Sequence, residues 1–248
     1  MQDFDNYLSP FSWRYGTPEM RSIWSETHKR RTWRKIWVHL AQVQAEFGLV
    51  KNEQWQDLQN NAERVDMGRA LQIESEIPHD LMAELKTFAE QSPLGGGILH
   101  LGATSMDIED NADALRLRQA LELTRTKLGT LLGVLADQII AWADTPIIAF
   151  THLQPAEPST LGYRLASYAQ DLLTDWENLT NLKNTIKGKG FKGAVGTASA
   201  YSELLGAEAF SRFEARLGKL LDLPFYPVAT QVYPRKQDYE IVCALAGL

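Results

Sequence analysis

The sequence predicts an all-α protein, and three observations carry that reading. Between Asp107 and Ala143, apolar residues recur at Leu121, Leu128, Leu132, Leu135, Ile139 and Trp142, a spacing that places them on one stripe of a long helix. A second stripe at the same three-to-four spacing runs through Leu161, Leu165, Tyr168, Leu172, Trp176 and Leu179. Strand signals are sparse, and PFYPVATQVYP at 224–234 is the best candidate for extended chain.

In chain order, the first hundred residues read as shorter helices, around Thr32 to Phe47 and His79 to Glu90, split by polar stretches and closed by the glycine cluster LGGGILHLGATS. A boundary near Met106 gives a small N-terminal helical domain, 1–106, and a long-helix bundle, 107–248. The second long helix is preceded by Pro158, Ser159 and Thr160 as first-turn and capping residues. GKGFKGAVG at 188–196 then forms a loop with glycine-dependent turns. From Tyr239 to Leu248 the periodicity resumes through Ile241, Leu245 and Leu248 and stops without a capping signal, so the bundle reads as incomplete.

Composition narrows the function classes. The 248 residues are 44% hydrophobic and 23% charged, enough to bury a real core. A net charge of -6 argues against generic nucleic-acid binding. No apolar run approaches the roughly 20 residues of a membrane span. The single cysteine, Cys243, excludes an internal disulfide framework, and the opening MQDFDNYLSP lacks a secretory pattern. The expectation is a cytoplasmic protein that works on small molecules or assembles with protein partners.

The stretch FTHLQPAEPSTLGYRL, 150–165, breaks a helical pattern for one histidine and two prolines. His152 is either an ordinary loop residue or a proton carrier, because imidazole changes charge near neutral pH. Thr104 and Ser105, behind a glycine at a helix entrance, can hold a carboxylate with hydroxyls and free backbone N–H groups. Alternatively Ser105 only caps, with Asp107 or Glu109 complementing the helix dipole. His79 and Asp80 read as an oriented histidine or as first-turn polarity after Pro78. None of the five histidines shows the paired spacing of a zinc site, so no metal is expected.

Two weaker signals fall to structural readings. KRRTWRKIW at 29–37 interleaves Arg30, Arg31, Arg34 and Lys35 with Trp33 and Trp37, but both tryptophans share a helical face with Leu40. A core face and a solvated or subunit-facing basic side follow. Glycines 188, 190 and 193 do not complete a phosphate-binding loop.

Read together and in order, RYGTPEM (14–20), RTWRKIWVHLAQVQAEFGL (31–49), HDLMA (79–83), ILHLGATSMDIEDN (98–111), THLQPAEPST (151–160), KGAVGT (192–197) and TQVYPRK (230–236) resemble the adenylosuccinate lyases of the fumarase/aspartase superfamily. The resemblance spans nearly the whole chain. It implies the superfamily's long-helix bundle and a β-elimination that releases fumarate from adenylosuccinate to give AMP, and from the succinyl-carboxamide ribotide of purine synthesis. It also implies that no cofactor is needed.

Carried onto this sequence, the resemblance makes His152 the general acid. Thr104 and Ser105 bind the succinyl group, Arg14 and Tyr15 contact the nucleotide, Gln231 contacts substrate, and His79 and Asp80 complete an Arg-His-Asp triplet. Pro78 stands where that triplet has arginine, which removes a bidentate phosphate ligand. The family's GSSxMPxKxNP loop, with the catalytic-base serine, would lie beyond residue 248, so this chain alone is expected to be inactive. The family's homotetramer, whose sites draw on three subunits, implies self-association. Two other readings are an argininosuccinate- or carboxymuconate-type enzyme of the same superfamily and a noncatalytic helical assembly module.

Overall fold

The structure, a computed structural model, describes residue 9 and residues 11–248. A π turn at Phe11–Tyr15 leads into helices α1 (Pro18–Ile23), α2 (Glu26–Glu46), α3 (Asn52–Asn61), α4 (Met67–Glu76) and α5 (Asp80–Gln91). The long α6 (Ser105–Ala141) follows, then strands β1 (Pro146–Thr151) and β2 (Gln154–Thr160). Helices α7 (Leu161–Thr185), α8 (Ser199–Leu205), α9 (Ala207–Leu221) and α10 (Lys236–Gly247) complete the chain. Among the described residues the fold is mostly helical with one small two-stranded sheet, as the long-helix periodicity implies.

Packing divides the chain into two compact units, residues 1–117 with 186–235 and residues 118–185 with 236–248. A division at Met106 follows the start of α6. Packing instead returns the segment after α7 to the first unit, because the glycine loop and α9 bury their apolar side chains there.

In the first unit α2 is the axis. Ser25 caps it by accepting the His28 N–H at 3.2 Å, and its buried face runs Trp33, Ile36, Trp37, Leu40, Ala41 and Val43. Phe88 of α5 packs against Trp37 with ring centroids 6.4 Å apart. Phe213 of α9 meets Phe47 just beyond the end of α2 at 5.6 Å. The basic side of α2 is not simply solvated, however. Arg31 and Lys35 are exposed, but Arg30 and Arg34 are fully buried around Glu84, with Arg34 Nε 2.5 Å and Arg30 Nη1 3.3 Å from its carboxylate. Burying two guanidinium groups is tolerable only with such partners. Helical spacing put the tryptophans inside correctly; it could not reveal a carboxylate fifty residues away.

In the second unit α6 contributes the buried Leu121 and Leu128, and α7 the buried Leu179. Gly162 donates its N–H to the Trp142 carbonyl at 2.9 Å, and a Cβ there would stand 2.5 Å from the Ile139 carbonyl oxygen. Only glycine lets α7 start so close to the end of α6. Away from these contacts the helices keep apolar groups in solvent, among them Val134, Ile140, Tyr168 and Val242. No helix among the described residues is long and apolar enough to cross a membrane.

Two expectations are corrected. The extended segment is not 224–234, which holds only an isolated bridge between Gly188 and Phe225. It is the antiparallel hairpin of β1 and β2, running from the pair Pro146–Thr160 to the pair Thr151–Gln154. Pro224, Pro227 and Pro234 deprive the former segment of ladder donors, whereas a two-stranded sheet is all edge and accepts Pro155 and Pro158. Pro158 and Ser159 therefore lie in β2 rather than in the first turn of α7. Thr160 alone caps that helix, accepting the Tyr163 N–H at 3.2 Å.

Candidate active site

The HLGATS segment enters α6 through two residues at positive φ, His100 at 67° and Gly102 at 74°. Gly102 lies under the buried Tyr201 ring, 3.0 Å from where a Cβ would project, so this turn requires glycine. His100 is fixed from below: the Trp37 indole N–H donates to its Nδ1 at 3.1 Å, which leaves the ring proton on Nε2. Burial first, and the neighbouring His79 ring second, push His100 down to about 4. Thr104 and Ser105 follow, both half-buried. The Thr104 N–H is not free for a ligand, as it donates to Asp107 Oδ2 at 3.1 Å. Asp107 is also not a solvated complement to the helix dipole, being fully buried against Lys189.

His79 and Asp80 open α5. His79 is its N-cap, with Nδ1 facing the Met82 N–H at 3.5 Å, and Asp80 accepts the Leu81 N–H at 2.8 Å. Helix α2 holds Asp80 at both ends: Lys29 Nζ stands 3.5 Å from its carboxylate and Arg30 donates to its carbonyl oxygen at 3.4 Å. Pro78, His79 and Asp80 line a surface concavity with Leu71, Glu74 and Ser75. Glu109 stands on α6 four residues after Ser105, on the same helical face. Burial, then the nearby carboxylates of Asp80 and Asp113, push it up to about 7. The HLGATS turn and the His79–Asp80 turn thus act on each other electrostatically within one unit.

Gln231 is exposed in the same unit, on a loop pinned two residues later, where the Tyr233 N–H donates to buried Asp110 at 2.8 Å and Arg235 pairs with the same carboxylate at 2.8 Å. Arg14 and Tyr15 lie in the π turn, Tyr15 exposed and its ring 5.8 Å from Phe11.

His152 belongs to the second unit. With Leu153 it forms the two-residue tip of the hairpin, both at positive φ (49° and 63°), the pattern of a type I′ turn. Both side chains are exposed, Leu153 by 93%.

Sequence reasoning singled out neither His100 nor Lys189, and it gave Asp107 and Glu109 only a role at the helix dipole. His100 had a signal, two residues before a glycine in the motif itself. The other roles depend on long-range neighbours. Among the described residues no group of three or more His, Cys, Asp or Glu side chains could hold a metal ion.

Comparison with known proteins gives this geometry a context. Over its full length the chain is 36% identical to adenylosuccinate lyase of Saccharomyces cerevisiae and 37% identical to that of Schistosoma mansoni, covering 53% of each. It is 35% identical to adenylosuccinate lyase of Archaeoglobus fulgidus, over 97% of the chain and 53% of that protein. The chain thus spans about half the length of the curated relatives it matches. Among solved structures, 3-carboxy-cis,cis-muconate lactonizing enzyme from Pseudomonas putida superposes with a TM-score of 0.83 at 27% identity, over 96% of this chain and 54% of that one. A fumarate lyase from Mesorhizobium sp. BNC1 shares the fold with a TM-score of 0.81 at 24% identity, over 92% of this chain and 53% of that one. The lyase family model matches residues 15–221, and the chain belongs to that family.

Proposed function

We propose that the protein is an adenylosuccinate lyase, releasing fumarate from adenylosuccinate to give AMP and from the succinyl-carboxamide ribotide in purine biosynthesis. The observation that carries this reading is that His79 and Asp80 lie within electrostatic reach of His100 and Glu109, the residues on either side of Thr104 and Ser105, in a chain matched along its length by relatives of that name.

The chemistry needs three groups. A base removes the proton from the succinyl carbon next to a carboxylate. The electrons form the double bond of fumarate as the carbon–nitrogen bond breaks, and an acid protonates the departing nitrogen. His152 takes the acid role, its exposure on the hairpin tip allowing it to enter a cleft. Thr104 and Ser105 bind the succinyl carboxylates, Arg14, Tyr15 and Gln231 contact the substrate, and His79 and Asp80 orient its nucleotide end. Pro78 supplies no cation there, so phosphate recognition falls to other residues. The base would come from a segment beyond this chain, which alone would be inactive.

Self-association into a homotetramer in the cytoplasm completes the reading. The apolar side chains exposed on α6, α7 and α10 support the association part of it, because apolar groups left in solvent favour association where they are contiguous. The test is to join the chain to the downstream sequence and follow fumarate from adenylosuccinate beside fumarate from argininosuccinate and lactone from carboxymuconate. Fumarate from adenylosuccinate is expected; turnover of another substrate alone overturns the reading.

A further inference from the structure

The first turns of α6 are bolted to the glycine loop of 188–196. Asp107 Oδ1 accepts from Lys189 Nζ at 2.7 Å and from the Lys192 N–H at 3.2 Å. Its Oδ2 accepts from the Gly193 N–H and from the Thr104 N–H, both at 3.1 Å. Lys189 reaches on to the Gly193 carbonyl at 2.9 Å. One turn further along α6, the Asn111 side chain exchanges hydrogen bonds with Gly190, donating at 3.1 Å and accepting at 3.0 Å. Asp107 and Lys189 are both wholly shielded from solvent.

A buried ion pair is a poor source of stability, since apolar side chains of similar size often serve as well or better. What apolar groups cannot do is accept the Thr104 N–H. That amide sits at the entrance of α6, where no helical carbonyl is available to it. Without an acceptor the turn carrying Thr104 and Ser105 is less constrained, and ordering it on binding weakens affinity. Lys189 has a second effect. A bare carboxylate three residues from Thr104 would repel an anionic ligand, and the ammonium cancels it.

We propose that Asp107 is a positioning residue: oriented by Lys189, its carboxylate fixes the Thr104–Ser105 turn for a dicarboxylate ligand. The choice of ligand rests on the lyase reading above; the geometric part does not.

The decisive variant is Asp107→Leu combined with Lys189→Met, which replaces the pair by apolar groups. In this chain, amide hydrogen exchange at Thr104 is expected to accelerate at least tenfold while Ile108, buried on the same helix, stays protected. In the protein used for turnover, KM for adenylosuccinate is expected to rise about tenfold with kcat within threefold. Unchanged exchange at Thr104, or faster exchange with an unmoved KM, overturns the proposal. If Ile108 also loses protection, Lys189→Met is compared with Lys189→Arg. Fast Thr104 exchange in the first and slow in the second supports the proposal, and any other pattern overturns it. Absence of turnover in the unsubstituted protein defeats the lyase reading, while Thr104 exchange still decides whether Asp107 holds the turn.

Discussion

Trp37 and His100 are joined edge to face, the indole N–H donating to Nδ1 at 3.1 Å with ring centroids 6.1 Å apart. The contact fixes one imidazole tautomer, while burial first and the His79 ring second keep the half-buried ring neutral. Because His100 falls to about 4 in the folded protein, the unfolded chain binds more protons between that value and its ordinary 6.5. Its contribution to stability is therefore full above about pH 6.5 and is lost as pH falls toward 4. Glu109 runs the other way: raised to about 7, it penalises the folded state increasingly as pH rises from its ordinary 4.5. Over the shared window the two slopes oppose each other.

Glu109→Gln is accordingly expected to stabilise the protein at pH 7, on the order of 1 kcal/mol after allowance for solvent screening. It should also unmask the His100 slope, up to about 1.4 kcal/mol per pH unit between pH 6.5 and 4.5. Urea unfolding at several pH values measures both. A pH profile parallel to that of the unsubstituted protein would mean the two groups are not the opposing pair described.

The hairpin tip separates stability from chemistry. His152 and Leu153 both occupy left-handed backbone that non-glycine residues adopt at a cost, and leucine has no polar group to offset it. Leu153→Gly should raise stability by about 0.4–1 kcal/mol. His152→Asn should leave the melting temperature unchanged or higher, since asparagine tolerates this conformation. If His152 is the general acid, the same change lowers kcat by about 10²- to 10⁴-fold. Thermal denaturation of this chain and fumarate release by the protein joined to its downstream sequence read the two effects independently. Intact turnover in His152→Asn would remove this histidine from the chemistry.

Two arginine-paired carboxylates, one buried and one on the surface, predict very different costs. Glu84 is inaccessible and serves both Arg30 and Arg34, whereas Arg69 and Glu90 meet at 2.6 Å on the surface. Glu84→Ala leaves two guanidinium groups buried without their shared partner and is expected to cost about 3–5 kcal/mol. Glu90→Ala should cost under about 1 kcal/mol. Chemical denaturation of the two variants compares them directly, and a difference under 1 kcal/mol would show that the Arg30–Glu84–Arg34 network does not organise α2 and α5.

The sequence was most informative where structure is local. The Trp33, Trp37 and Leu40 face of α2 and the α6 and α7 stripes obey a 3.6-residue period that any reader can count. Leu121, Leu128 and Leu179 on those stripes are buried, whereas Trp142 and Tyr168 on the same stripes are exposed. The hairpin escaped notice because its strands are short and its tip carries His-Leu rather than the Asn-Gly or Asp-Gly that announces a type I′ turn. The candidate site divides in the same way. Thr104, Ser105, His79 and Asp80 are visible as compact motifs at helix starts, but Asp107 depends on a lysine 82 residues later and Glu109 on Asp80. Neither relationship has a periodicity; each exists only once distant segments are folded together.

Helix α7 begins where Leu161 donates to the Thr145 carbonyl and Gly162 to the Trp142 carbonyl, both at 2.9 Å. A methyl group at residue 162 would meet the Ile139 carbonyl oxygen at 2.5 Å and the Ala143 Cα at 2.8 Å, all backbone that cannot rotate aside. Gly162→Ala must therefore push α7 away from the end of α6, at a cost of about 1–3 kcal/mol typical of overpacking. The control is Gly133→Ala on α6, where nothing lies within 4 Å of the added carbon and helix propensity favours alanine by about 1 kcal/mol. One variant should lose stability and the other gain it. Equal melting temperatures for the two would mean that the close approach of Gly162 to α6 is not what fixes the start of α7, and with it the base of the hairpin that carries His152.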